Sequence, residues 1–326
     1  MHPPKKVASV LTLAVAAFAG TLPTNSLGQT YPAKPVRGIV AFGTGGQSDV
    51  VARVIAQKLS ERWNQAVVIE NRAGANGNIG TEVAAKSTAD GYTLYFPTSS
   101  LAVNAIIAPN PAYDPIRDFS PVSLTGIAEA VLAINAAVPV QSVQELIAYA
   151  RANPGKLNYG TTSLGATGHI GVEQIKSIAG IQVALIPYTN IANLIADLLS
   201  GRISMFITPP ASVISHIQSG KLRALGVTGS KRLSLLPEAP PITETLPDFR
   251  VSSWYAVVAL ARTPADIISK INADTRWATI QPDVRERLAQ TGVEAVGSTS
   301  EELRAHIQRE VATIEGLVQR GALQKQ

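Results

Sequence analysis

The chain has 326 residues, a mass of 34.2 kDa and a formal net charge of +5, and this length is enough for two domains or lobes. Only 16 % of the residues are charged and the basic ones form no run, so the composition excludes general disorder and indicates no nucleic-acid partner. The absence of cysteine excludes disulfides, thiolate metal sites, a cysteine nucleophile and a lipid-modified N-terminal cysteine.

The first thirty residues predict an export signal. Two lysines precede an apolar run at 7–19, which has the length of a secretory signal and is too short to span a bilayer. Cleavage after Ala19 or after Gly28 would place a small residue three positions before the cut, and we take 1–28 as the signal peptide because folded-looking sequence begins soon afterwards. The mature protein is therefore expected in the periplasm.

The body of the chain alternates apolar strands with amphipathic helices. Strands are predicted at 36–42, 67–70, 92–96, 131–135, 157–161, 183–186, 203–207 and 222–227. Helices are predicted at 48–63, 142–153, 167–179, 191–199 and 211–219. Because such units pair their strands in parallel, we expect an α/β fold whose largely parallel sheet is covered on both faces. The helix from Ile191 carries an apolar stripe that we expect to be buried on a sheet.

The last third of the chain has a different pattern. A proline-rich stretch at 237–247 is followed by a long strand at 251–260 and then by helices. Pro264 and Pro282 begin two of these helices, and Thr299 with Glu302 forms a capping box for the terminal one. A late return strand suits a chain that leaves its first lobe, builds a second lobe and comes back.

The mature sequence lacks the residues that metal or nucleotide chemistry needs. His169, His216 and His306 remain after signal removal, and no pair of them has ligand spacing. The glycine-rich loop at 43–48 lacks the lysine of a phosphate loop and the last glycine of a dinucleotide fingerprint. A Gly-x-Ser-x-Gly hydrolase motif is also missing. We expect no metal, no cofactor and no enzymatic activity.

Small polar residues follow four of the predicted strands, in the loops that open helices. These loops lie at 43–49, 99–100, 161–167 and 188–190. The carboxyl ends of strands in open α/β sheets are where ligands bind, and backbone N–H groups at a helix N-terminus attract anions. Since the loops contain almost no charged side chain, the pattern favours neutral hydrogen bonds to a small anion over acid–base catalysis.

Each loop also has a structural interpretation, because the same residues serve as ordinary caps and turns. Asp49 either complements the helix dipole or contacts a ligand. His169 is either a hydrogen-bonded residue of the first helical turn or part of the site. For Tyr188 and Trp254, packing is favoured over stacking on a ligand.

Several motifs across the mature chain resemble those of the Bug family, the extracytoplasmic solute receptors of tripartite tricarboxylate transporters. They are Tyr31-Pro32-Ala33-Lys34-Pro35, Val67-Val68-Ile69-Glu70-Asn71-Arg72-Ala73-Gly74-Ala75, Gly77-Asn78-Ile79-Gly80, Asp90-Gly91-Tyr92-Thr93-Leu94, Arg117-Asp118-Phe119, Asn153-Pro154-Gly155-Lys156-Leu157 and Gly220-Lys221-Leu222-Arg223-Ala224-Leu225.

The resemblance implies a type II periplasmic-binding-protein (Venus flytrap) fold with two lobes and two hinge crossings, near 126–131 and 250–254. Lobe 1 would comprise 29–128 and 253–326, and lobe 2 would comprise 129–252. It also implies a small carboxylate ligand, held between the lobes, and membrane permease subunits as partners. We expect the receptor to be a monomer.

Carried over by position, the resemblance implies that two loops hold the carboxylate, at 42–49 and 162–169. The candidate ligand-binding residues are Phe42, Thr44, Gly45, Gly46, Ser48, Asp49, Ser99, Thr162, Ser163, Gly165, Ala166, Thr167, His169, Tyr188, Asn190 and Thr208. Where the family often has Lys-Gly and Asp, this chain has Thr189-Asn190 and Thr208, and it adds Leu164. These departures favour a monocarboxylate or an acid whose distal part is uncharged.

Two other functions are compatible with these residues. An exported hydrolase would use Ser163 with His169, but it would need an orienting acid that the sequence does not place near either residue. The same receptor could also deliver its closed form to a sensory membrane protein instead of a permease.

Overall fold

Eleven strands and ten helices make up the part of the chain that the computed structural model describes, residues 1–2 and 31–325. The predicted signal peptide lies outside the described residues, except for its first two. The strands are β1 (Val36–Val40), β2 (Val67–Asn71), β3 (Thr93–Tyr95), β4 (Phe119–Ala128), β5 (Val131–Asn135), β6 (Asn158–Thr161), β7 (Ala184–Pro187), β8 (Met205–Thr208), β9 (Leu222–Val227), β10 (Ser253–Leu260) and β11 (Glu294–Ala295).

The helices are α1 (Gln47–Trp63), α2 (Asn78–Ala85), α3 (Ser100–Ile107), α4 (Val143–Ala152), α5 (Thr167–Ala179), α6 (Ile191–Ser200), α7 (Ile214–Gln218), α8 (Ala265–Thr279), α9 (Pro282–Ala289) and α10 (Ser300–Gln319). None of the helices in the described ranges is long and apolar enough to cross a membrane.

The strands form two mixed sheets. The first has the order β11-β4-β10-β3-β1-β2, in which β1 is parallel to β2 and β3, and β10 is antiparallel to β3 and β4. The second has the order β7-β6-β8-β5-β9, in which β6 is parallel to β7 and β8, and β5 is antiparallel to β8 and β9. The α/β class is confirmed, with helices interleaved between the strands.

The expectation of one largely parallel sheet is wrong, because the antiparallel strands β5 and β10 lie where the chain passes from one sheet to the other. β5 follows β4 after Glu129 and Ala130 alone, so the chain passes from the first sheet into the second without an intervening helix. The helical crossover is what forces consecutive strands to be parallel. Strands that enter a sheet from its neighbour are free of that constraint, as β5 and the return strand β10 are.

The expected burial of the α6 stripe holds for only part of the helix. Leu194 and Leu198 are fully buried, whereas Ile191 is 43 % exposed. β7 is an edge strand whose residues are mostly exposed, so the region where α6 begins has little sheet to cover. Sequence patterning also does not predict β4, α2 or α3. Most residues of α3 are buried, so its sequence lacks the polar face from which a helix is recognised.

The predicted capping box of α10 is confirmed, since Thr299 and Glu302 each accept the other's backbone N–H. The Ser142 and Glu145 pair also has capping-box spacing, but at α4 only half of such a box forms. The Ser142 hydroxyl accepts the Glu145 N–H at 3.1 Å, but the Glu145 carboxylate turns to the N–H of Gln141.

Two helices contribute to the cores of both sheets. α10 places Leu303 and Ile307 in the core of the first sheet, whereas Ile314, Leu317 and the following Leu323 lie in the core of the second. α3 divides in the same way, with Leu101 in the first core and Val103 and Ile107 in the second. The C-terminal helix is therefore a third connection between the sheets, in addition to the two crossings of the chain.

Candidate functional site

The loop from β1 to α1 opens the helix without a side-chain cap. Gly45 has a φ of +82°, which glycine adopts without strain. Gly46 is the extended N-cap residue and has no side chain to accept the first N–H groups of the helix. Because those groups have no partner within the helix, α1 presents donors at this loop. Residues 43–46 are exposed.

Asp49, in the first turn of α1, holds this loop in place. Its buried carboxylate accepts hydrogen bonds of 2.9 Å from the N–H of Gly45, the guanidinium of Arg53 and the side-chain amide of Asn71. Burial alone would raise the pKa of Asp49, but these hydrogen bonds outweigh it and hold the pKa below its ordinary value. The carboxylate is thus engaged within the loop.

The loop from β6 to α5 repeats this construction. Gly165 has a φ of +80°, and Ala166 is an extended N-cap residue without a side-chain hydrogen bond. The N–H of Gly165 donates to Nδ1 of His169 at 3.0 Å, just as Gly45 donates to Asp49 four residues on. In both loops a left-handed glycine precedes a small N-cap residue, and the third helical residue accepts the glycine N–H.

His169 is buried, and its ring stacks on Tyr159 with ring centroids 6.3 Å apart. Because Nδ1 accepts a hydrogen bond from a backbone N–H, the ring is neutral with its proton on Nε2. Burial lowers the pKa of His169, which favours the same neutral form.

Two hydrogen bonds to β10 and one shared cavity bring the predicted loops toward one another. The Thr167 hydroxyl at the start of α5 lies 2.7 Å from the hydroxyl of Ser253 in β10. The Tyr255 hydroxyl, also in β10, donates to the side chain of Gln47 at the start of α1. Ser99, Gly165 and Thr167 line one small cavity of about 20 Å³ with residues of α3, α10 and the 250–252 segment. The structure therefore gathers the first, second and third predicted loops around the return strand.

The fourth predicted loop stays within the second sheet. The Tyr188 hydroxyl donates to Asp197, and the Asn190 side chain caps α6 by accepting the N–H of Asn193. Thr208 ends β8, is 1 % exposed, and its hydroxyl has no hydrogen-bond partner among the described residues.

The remaining candidates lie on the rims of the two loops. Phe42 is half-buried, its ring faces Gly77 and its carbonyl accepts the Asn71 amide. Thr44 is exposed and donates to the Asn71 side chain at 3.2 Å, whereas Ser48 is buried. Thr162 is exposed.

Residues 74–77 form a strained turn beside the first loop, and sequence patterning does not predict it. Four consecutive residues, Gly74, Ala75, Asn76 and Gly77, have φ between +47° and +136°. For Ala75 and Asn76 this is an unfavourable backbone conformation. The strained turn lies beside Phe42 and bonds to α3 through Asn104. The available sequence signal is the Asn-Gly pair between glycines.

The described residues hold no group of three metal-ligating side chains. They also contain no hydrolase relay at Ser163, whose hydroxyl donates to the carbonyl of Leu164 at 3.4 Å and not to His169. The buried acid on the same helix as His169 is Glu173. Its carboxylate accepts hydrogen bonds of 2.6 Å each from the Tyr159 hydroxyl and the Lys176 ammonium.

Comparison with known protein families places most of this chain in one of them. The family model described as "Tripartite tricarboxylate transporter family receptor" matches residues 51–323. The chain belongs to this receptor family. Protein BugT of Bordetella pertussis is 38 % identical over 292 residues, which span 89 % of this chain and 90 % of that protein.

Solved structures agree with this assignment. R. palustris Rpa4515 with adipate is 33 % identical, with a TM-score of 0.70 over 89 % of this chain and 97 % of that one. MatC (Rpa3494) from Rhodopseudomonas palustris with bound malate is 26 % identical, with a TM-score of 0.68 over 88 % and 100 % of the two chains.

The two-lobed periplasmic-binding-protein fold that the resemblance implies is confirmed. The family is one of periplasmic solute receptors and not of enzymes. A hydrolase at Ser163 therefore has neither family nor local geometry in its favour.

Proposed function

We propose that this chain is the receptor that binds a small carboxylate between its two lobes in the periplasm and delivers it to the permease subunits of a tripartite transporter. The proposed lobes are 29–128 with 253–326, and 129–252, and the receptor acts as a monomer. The observation that carries the proposal is the matched pair of loops at α1 and α5, each with an uncapped helix N-terminus.

The two loops suit a carboxylate because both offer backbone N–H donors with the positive end of a helix dipole behind them. A hydrogen bond to a charged acceptor contributes roughly 1.5 to 3 kcal/mol, so a few such bonds suffice for micromolar affinity. Asp49 and His169 do not supply positive charge; they hold the glycine N–H groups and so fix the loop conformations. Because the two loops offer only neutral donors, the acid also dissociates readily when the lobes open.

The distal part of the acid meets uncharged groups. Thr208 offers a buried hydroxyl that has no hydrogen-bond partner within residues 31–325, and Leu164 is 41 % exposed at the tip of the second loop. Asn190, near the usual lysine position, is engaged as the cap of α6. We therefore propose a monocarboxylate, or an acid whose distal part is uncharged, as the ligand.

A ligand screen tests the proposal. The mature protein is refolded from denaturant to strip any carried-over ligand, and its melting temperature is measured with mono-, di- and aromatic carboxylates and with amino acids. An acid at a hundred times its Kd adds about 2.7 kcal/mol of stability, an easily measured shift. Stabilisation by uncharged-tailed acids without their turnover supports the proposal. If no carboxylate raises the melting temperature, the proposal is wrong.

The substitution Ala166→Asp tests the position of the carboxylate. An aspartate at this N-cap would itself accept the free N–H groups of α5 and compete with the ligand. We expect the variant to keep or gain stability, by about 1 kcal/mol, and to lose affinity at least tenfold by calorimetric titration.

Gln281→Asp is the matched control, because Gln281 is an extended, uncapped N-cap residue of α9. It should bind normally, with a smaller gain in stability, because aspartate loses the hydrogen bond that the Gln281 amide donates to the carbonyl of Trp277. Wild-type affinity in Ala166→Asp would place the carboxylate elsewhere.

A further inference from the structure

α3 is anchored to the first-sheet side of the molecule by a pair of amide hydrogen bonds. The Asn104 side chain, which is 3 % exposed, donates to the carbonyl of Asn76 at 2.7 Å and accepts from the Asn76 amide at 3.3 Å. Leu101, three residues earlier, is fully buried in the core of the first sheet. The rotation of α3 about its own axis is thus fixed by the strained turn at 74–77.

A neighbouring face of α3, which carries Val103 and Ile107, meets the second proposed ligand loop at Gly165. A Cβ atom on Gly165 would lie 2.8 Å from Cδ1 of Ile107 and 2.9 Å from Cγ1 of Val103. Carbon atoms in ordinary contact are about 3.5 to 4.0 Å apart, so any side chain at position 165 would require Ile107 and Val103 to shift. The positive φ of Gly165 independently disfavours any other residue.

We propose that α3 is the spacer that sets how closely the two lobes approach, so that Val103 and Ile107 against Gly165 determine which length of acid the cleft accepts. Asn104 is a positioning residue in this arrangement, because it acts by orienting α3. The inference rests on the proposed function for its ligand, but the contact itself is independent of any ligand.

The physical reason is that closure ends where packed atoms meet. An aliphatic contact between a buried helix and a backbone is stiff, because protein interiors are packed at the density of organic crystals. A change of one methyl group at Val103 therefore shifts the end point of closure by on the order of 1 Å. The same displacement alters the room for the ligand, since Gly165 belongs to the loop proposed to hold its carboxylate.

The test uses two opposite substitutions, Val103→Ile and Val103→Ala. Because the chain has no cysteine, spin labels attach only at the introduced pair Thr88→Cys and Ala148→Cys, which are exposed and lie on the two sides. The shortest distance in the pulsed-EPR distribution reports the closed form. We expect Ile and Ala at position 103 to change this distance in opposite directions.

Affinities for straight-chain monocarboxylates from propanoate to octanoate are measured on the same proteins. We expect Val103→Ile to favour longer acids and Val103→Ala shorter ones, with the affinity ratio of neighbouring chain lengths changing roughly tenfold. Asn104→Ala should broaden the distance distribution, and Asn104→Gln, which keeps the amide, should narrow it again.

Val143→Ala is the control, because Val143 is a buried valine of the same core but lies on α4, away from the contact. It should leave both distance and preference unchanged. If both Val103 variants match this control in distance, the inference is overturned, whether or not acids bind. If the distances shift but no acid binds any of the proteins, the role of α3 as a spacer is supported and the proposed function is wrong.

Discussion

Replacement of Glu310 is expected to change how the free energy of unfolding depends on pH. Glu310 lies in the middle of α10, and its carboxylate accepts the indole N–H of the buried Trp254 in β10. It faces a cavity of about 630 Å³ that is also lined by Glu129 and His306. Burial raises the pKa of Glu310 to about 8, far above its ordinary value of 4.5.

This shift makes the folded protein less stable as the pH rises. Between pH 4.5 and about 8 the unfolded chain releases the proton of Glu310 whereas the folded protein keeps it. The free energy of unfolding therefore falls by up to about 1.4 kcal/mol per pH unit in this window and is level above it. From pH 4.5 to neutrality the loss amounts to about 3 kcal/mol.

The substitution Glu310→Gln removes the titration and keeps an oxygen acceptor for Trp254. Urea denaturation of wild type and variant across this pH range should show the variant gaining about 3 kcal/mol on the wild type from pH 4.5 to neutrality. Burial also lowers the pKa of His306 to about 4, so this residue makes the free energy of unfolding rise with pH. Because His306 is present in both proteins, its contribution cancels when the two are compared. Glu315→Gln, at an exposed position of the same helix, is the control. Parallel pH profiles for wild type and Glu310→Gln would refute the reasoning.

Two further substitutions test the first ligand loop and the C-terminal connection. Asp49→Ala should cost about 2 kcal/mol of unfolding free energy at neutral pH, because the N–H of Gly45 loses its acceptor and the amide of Asn71 loses one of its two acceptors. Because the pKa of Asp49 is lowered in the folded protein, the stability difference between wild type and variant should shrink as the pH falls below 3.8. Urea denaturation at acid pH that shows an unchanged difference would contradict this prediction. Leu323→Ala should cost about 2 to 4 kcal/mol and loosen the end of α10 in hydrogen exchange, because Leu323 is buried in the second core. A loss below about 1 kcal/mol would mean that the tail does not join the lobes.

The elements that local patterning predicts well are those whose apolar faces meet a sheet in the ordinary way. The strand at Val131–Asn135 and the helix at Thr167–Ala179 form at the predicted residues. α3 is different, because it is buried against both cores and has no polar face to reveal its period. β4 is interrupted by Pro121, which hides it from a pattern of alternating residues.

The candidate site divides in a similar way. Glycines and small polar residues before α1 and α5 predict the two proposed ligand loops, because small residues let backbone N–H groups approach an anion. Whether Asp49 would face a ligand or the loop is decided by its distances to Gly45, Arg53 and Asn71, which come from different elements. The contact of Gly165 with α3 likewise joins residues that are far apart in the chain.

The sequence by itself determines the strand–helix alternation, the α/β class, the two glycine-containing loops that open α1 and α5 and, through its motifs, the receptor family. These depend on residue type and short spacing, which act locally. Only the tertiary structure decides that β5 and β10 run antiparallel to their neighbours, that α10 joins the cores of both sheets, and that α3 lies between the strained turn at 74–77 and Gly165. Those features arise from packing between distant segments, whose energies depend on shape complementarity and not on any one stretch of chain.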